Sequence, residues 1–134
     1  MRVKLGRRGY DEADVEAAVA RLIELGYLDD RSFAAGHVRR RSSDRGQLAL
    51  SAELAARGID RTVAGEALAA LTPEGQLASA QRLAWRLAGG KPFAGYKELL
   101  DRVGPKLIRR GFPPAIARAA CGRVWSGTAG TPEA

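Results

Sequence analysis

The chain has 134 residues, 46% of them hydrophobic but only 6% aromatic, so Ala, Leu, Val and Ile must fill the core of one unit or a few small repeats. A formal net charge of +7 and a pI near 10.3 point to an anionic partner: nucleic acid, a nucleoprotein surface or an acidic protein. A single cysteine, Cys121, excludes an intrachain disulfide and a cysteine-based metal site.

No apolar run reaches a membrane-spanning length, no signal-peptide core opens the chain, and no helix joins a basic face to bulky exposed apolar residues. A soluble, cytoplasmic protein without membrane contact is expected. Alanine richness, six prolines at apparent boundaries and the lack of β-branched alternation predict an all-α fold.

Residues 1–10 carry Arg2, Lys4, Arg7 and Arg8 with no acid, and read as the end of a helix closed by Gly9. A helix over 11–25 follows. Acids crowd its first turn, and Val15, Ala18, Val19, Leu22 and Ile23 make its apolar stripe. Gly26 is placed as its left-handed stop, with Asp29 or Asp30 capping a next helix over 30–44. Two helices should thus meet at a sharp corner. Phe33, Ala34, His37 and Val38 form the inward face of the second. Helices over 47–57 (Leu50 and Leu54 inward, Gly58 the stop) and 60–71 (Asp60 the cap; Val63, Ala67, Ala70 and Leu71 on one side) come next.

Thr72-Pro73 starts a helix with Leu77, Ala80, Ala84 and Leu87 in its stripe. Ala88-Gly89-Gly90-Lys91-Pro92 is the clearest linker. Residues 95–110 read as helix with a break at Gly104-Pro105, and Pro113-Pro114 open the last helix, with Ile116, Ala120 and Val124 inward. Residues 126–134 have no apolar anchor and read as a disordered tail.

Stacking the helix ends reveals a repeat. Leu5 to Tyr10, Leu54 to Ile59 and Leu107 to Phe112 share Leu, two residues, Arg, Gly, then a large apolar residue, with glycines 49 and 53 residues apart. The unit is a three-helix module that must pack on its neighbours. It divides the chain into an incomplete first repeat (1–28), a second (29–72), a third (73–125) and the tail.

Three basic clusters stand out: Arg2, Lys4, Arg7 and Arg8; then Arg39, Arg40, Arg41 and Arg45, with Arg57 near; then Arg102 through Lys106, Arg109, Arg110 and Arg118 to Arg123. Arg7-Arg8 and Arg109-Arg110 occupy matching repeat positions, as does Arg57. A stripe following a phosphate backbone or acidic groove is one reading. Helix ends offsetting the C-terminal dipole are the plainer one. The helices lack the Asn, Gln and Arg mixture that reads base edges, and aromatic stacking is thin. Trp85 and Trp125 read as packing residues. His37, the only histidine, lies one turn after Phe33 and reads as packing beside the core. Asp29-Asp30 reads as a cap, and no phosphate loop, metal-ligand cluster or nucleophile elbow is present. Neither catalysis nor a cofactor is expected.

The run from Arg7 to Arg41, above all Gly26-Tyr27-Leu28-Asp29-Asp30-Arg31-Ser32-Phe33-Ala34 followed by Val38, Arg39 and Arg41, resembles the RecX family, bacterial regulators of the RecA recombinase. Gly46, Leu50, Glu53, Leu54, Gly58 and Ile59 match in spacing, and the similarity extends from about residue 4 to 125. The resemblance implies an elongated, curved array of tandem three-helix repeats. It implies a monomeric, non-enzymatic protein bound along the groove of the RecA–single-stranded-DNA filament. There it would inhibit ATP hydrolysis and strand exchange, and so regulate recombination, DNA repair and the SOS response. The contact residues would be Arg7, Arg8, Arg39, Arg40, Arg41, Arg45, Arg57, Lys106, Arg109 and Arg110. A general nucleic-acid-binding helical module acting directly on DNA is the alternative. The chain departs from the family in four places. The family has a further helix before the first Arg-Arg-Gly-Tyr motif. Leu48 and Ala49 stand where basic residues are common, as does Trp85. Gly104-Pro105 interrupts a usually continuous helix.

Overall fold

The computed structural model describes residues 11–130, and every regular element in that span is an α-helix. The order is α1 (Glu12–Arg41), α2 (Gln47–Ala56), α3 (Arg61–Leu68), α4 (Pro73–Ala88), α5 (Tyr96–Arg109) and α6 (Pro114–Gly130).

The predicted corner at Gly26 does not exist, because α1 runs through it as one 30-residue helix. Its cap is Asp11, whose side chain accepts from Asp14 N–H at 2.7 Å, rather than Asp29 or Asp30. Gly26 is not among the left-handed glycines. A mid-helix glycine costs only about 1 kcal/mol, and contacts with α3 outweigh it. Tyr27 Oη donates to Asp60 at 3.4 Å, and Arg31 pairs with Glu66 at 3.3 Å. Of the stripe read over 11–25, Val15 is buried, but Leu22 and Ile23 are each 64% exposed.

The C-terminal half of α1 packs with α2 and α3 around Ala34, Val38, Leu50, Leu54, Ile59 and Val63. α4, α5 and α6 close over a second core of Leu83, Leu99, Val103, Leu107, Phe112 and Ala120. Buried Cys121 belongs to it, and burial pushes its thiol pKa up. Phe112 is fully buried and contributes about 1.5–3 kcal/mol of transfer free energy. The protein is thus a tandem of three-helix units.

The repeated Leu-x-x-Arg-Gly-apolar pattern is a helix-ending device. Gly58 (φ 86°) and Gly111 (φ 95°) both take the left-handed conformation. Ile59 N–H then reaches back to the Leu54 carbonyl at 3.0 Å, and Phe112 N–H to the Leu107 carbonyl at 3.2 Å. These bonds satisfy carbonyls that the helix end leaves open, and bring the leucine and the following apolar side chain together in each core.

Three smaller expectations also change. α3 ends at Leu68, and Ala70 is exposed. α5 passes through Pro105 without a break. Leu99, Val103 and Leu107 are almost fully buried along it, and their packing outweighs the roughly 3 kcal/mol that proline costs inside a helix. Residues 126–130, read as part of a disordered tail, continue α6.

Candidate functional site

The two units meet at the start of α2. Gly46 N–H donates to the Arg110 carbonyl at 2.9 Å, and Leu48 N–H to the Gly111 carbonyl at 2.9 Å. Between them Gln47 N–H donates to Gln76 Oε1 at 2.9 Å, and Gln76 Nε2 returns a bond to Gln47 Oε1 at 3.1 Å. Gly46 offers no capping side chain, so the second unit supplies acceptors for the open N–H groups of α2. The negative end of α5 faces the positive end of α2, which both dipoles favour. Only glycine fits here, since a Cβ on Gly46 would strike Phe112 N and the Gly111 carbonyl, and one on Gly111 would strike Ala49.

This joint positions the basic residues. Arg39, Arg40 and Arg41 form the last turn of α1 and are exposed. Lys106 and Arg109 form the last turn of α5, with Arg110 its C-cap, and all three are exposed. Arg110 Nη1 donates to the Asp44 carbonyl at 3.4 Å and lies 3.7 Å from its carboxylate. The joint therefore brings Arg110 of the third basic cluster to Asp44, three residues past Arg41 of the second. Arg7 and Arg8 lie outside the described residues.

Arg45 and Arg57 are differently employed. Glu53 accepts from His37 Nε2 at 2.7 Å and from Arg45 Nη1 at 2.8 Å, linking α1, the turn after it and α2. Burial works to raise the Glu53 pKa. The His37 hydrogen bond and the charges of Arg45, His37 and Arg41 outweigh it and hold the carboxyl below the usual glutamate range. Arg45 is half-buried, and its Nε is buried without a partner. His37 stacks on Phe33 as expected of a packing residue, and it also carries this polar link. Arg57 lays its guanidinium over the Phe33 ring, 4.2 Å from the centroid. Its aliphatic and cationic parts shield that half-buried ring.

Sequence reasoning missed one constellation. Trp85 is 59% exposed, not a packing residue, whereas Trp125 does pack against the second core. Arg82, Trp85 and Arg86 stand at i, i+3 and i+4 on α4 and face a groove shared with Arg123 of α6. The i, i+3, i+4 spacing of these residues is the signal in the sequence, and it lies beside the apolar stripe of α4. Among the described residues, no group of His, Cys, Asp or Glu is placed to hold a metal ion, and no helix is long and apolar enough to cross a membrane.

Comparison with known proteins gives a consistent picture. Residues 29–68 match the family described as RecX, second three-helix domain. The chain is 34% identical over 117 residues to the regulatory protein RecX of Mycobacterium ulcerans, a match covering 85% of this chain and 68% of that protein. It is 36% identical over 120 residues to the regulatory protein RecX of Thermus thermophilus, covering 90% and 76% respectively. In fold it is similar to the crystal structure of RecX from Lactobacillus salivarius, with a TM-score of 0.69 and 24% identity over 90% of this chain and 80% of that one.

Proposed function

The chain belongs to the RecX family, and from that premise we propose that it is a non-enzymatic modulator of RecA. In this reading it binds the filament that RecA forms on single-stranded DNA and inhibits ATP hydrolysis and strand exchange. It acts as a monomer in the cytoplasm, and its three-helix units, bounded near residues 29, 73 and 125, set its reach. The relatives are named regulatory proteins, in keeping with a role exerted by binding rather than by chemistry.

The observation that carries the reading is the joint between the two units. It holds Arg110 against Asp44, three residues past the Arg39-Arg40-Arg41 turn of α1, with Lys106 and Arg109 exposed in the last turn of α5. A rigid, exposed cationic surface built by backbone hydrogen bonds suits a large anionic partner better than a small ligand. Arg45 is half-buried and tied to Glu53, and Arg57, though exposed, lies over the Phe33 ring, so this reading gives both a supporting part.

The test is RecA ATP hydrolysis on single-stranded DNA with this protein titrated below the RecA concentration. Inhibition at substoichiometric ratios is expected. Unchanged hydrolysis when the protein matches RecA in concentration would overturn the proposal.

A further inference from the structure

Trp85 is the most exposed aromatic side chain of the described residues, and its surroundings are unusual. It stands on α4 between Arg82 and Arg86, with Arg123 of α6 facing it across an open groove of about 790 Å³. Among the described residues, no acid lines this groove. Arg82 Nη2 donates to Ser79 Oγ at 3.3 Å, which fixes its guanidinium at the groove edge. The other side of Trp85 borders a pocket of about 330 Å³ with Phe93 and Trp125 among its walls.

The groove is one end of a longer track. It shares Arg82 with a neighbouring concavity that also contains Ser42, and Ser42 is shared in turn with a third that contains Arg39. Among the described residues the only acid along these three is Glu66, in the same concavity as Arg39, and it is paired with Arg31. The track therefore runs from the end of α1, past the joint between units, to Trp85. Among the described residues its charge is positive apart from Glu66, and Trp85 is its large exposed hydrophobic side chain.

We infer that this track binds single-stranded nucleic acid, with Arg82, Arg86 and Arg123 on the phosphates and a base stacked on Trp85. Arginines alone would accept an acidic peptide, but an acidic peptide leaves the indole face unused. A duplex leaves it unused too, because its bases are already stacked on each other. A single strand supplies both a phosphate row and free base faces, the two chemistries present here. This goes beyond recombinase regulation, since the contact needs no RecA.

The experiment uses the full chain and a labelled oligothymidine, with no RecA present, so its failure leaves the recombinase reading untouched. Binding should quench intrinsic tryptophan fluorescence. Trp85→Phe, in which Trp125 is the remaining tryptophan, should lose that quench. Trp85→Ala should weaken binding about tenfold, within the range for loss of one stacked base. Arg86→Glu with Arg123→Glu should abolish binding, and Arg86→Gln with Arg123→Gln should weaken it with wild-type helicity by circular dichroism. Three phosphate contacts predict that log affinity falls with log salt at a slope of about −2. An undiminished quench in Trp85→Phe would overturn the inference. So would wild-type affinity in the glutamine pair, equal affinity for a duplex, or displacement by polyglutamate as readily as by unlabelled oligonucleotide.

Discussion

Gly46 and Arg110 lie 64 residues apart in the chain, yet the amide of one donates to the carbonyl of the other at 2.9 Å. This bond sits where two backbones touch, so side chains cannot be added there. Gly46→Ala or Gly111→Ala should destabilise the protein by about 2 kcal/mol or more, read by thermal denaturation. Gly65→Ala, a mid-helix change with open space around it, should instead stabilise by roughly 0.5–1 kcal/mol. Equal responses at the three glycines would contradict the joint.

Gly26 offers a test of the long helix. Its added Cβ meets nothing within 4 Å, and its backbone is helical. Gly26→Ala should raise stability by about 1 kcal/mol. At a left-handed corner the same change would lower it. Melting temperature alone separates the two.

Glu53 should give the protein a distinctive acid limb. Its folded pKa lies below the ordinary glutamate value of about 4.3, so its contribution is fully present above that value. The contribution fades as pH falls through the depressed folded pKa. Glu53→Gln removes the charge that holds Arg45, and should cost about 1–2 kcal/mol at neutral pH. The gap between variant and wild type should close in acid. A gap constant from neutral pH down to strong acid would mean the carboxylate charge is irrelevant.

The arginines should separate into two classes. Reversing Arg39 and Arg109 should weaken RecA inhibition and leave helicity and melting unchanged, since these side chains are exposed and neither is among the charges acting on Glu53. Arg45→Glu sets a second acid beside Glu53 and should lower stability by a few kcal/mol. Arg57→Ala removes the stack on Phe33, at a cost of about 1 kcal/mol. Circular dichroism melts run alongside ATP hydrolysis distinguish loss of contact from loss of fold.

Much of this architecture could be read from residue order. Leu54-Arg57-Gly58-Ile59 and Leu107-Arg110-Gly111-Phe112 end two helices in the same way, because glycine alone takes that backbone turn without strain. The inward stripes of α2, α4 and α6 were equally readable from spacing. What eluded the sequence was decided at a distance. Nothing local says that Tyr27 will reach Asp60 and keep α1 whole, or that the packing of Leu99 and Leu107 will carry a helix through Pro105. The sorting of arginines also needed the fold, since Glu53 and Phe33 claim Arg45 and Arg57 from other helices.

The borrowed cap of α2 has a consequence for how the protein opens. The amides of Gly46, Gln47 and Leu48 are held by acceptors more than 25 residues further along the chain, on Arg110, Gln76 and Gly111. Those three amides can exchange with solvent only when the second unit lets go. Their exchange with deuterium should therefore follow the stability of α4 to α6 rather than that of their own helix. A core substitution such as Leu107→Ala should hasten exchange at Gly46 and Leu48, so that the first unit reports the loosening of the second.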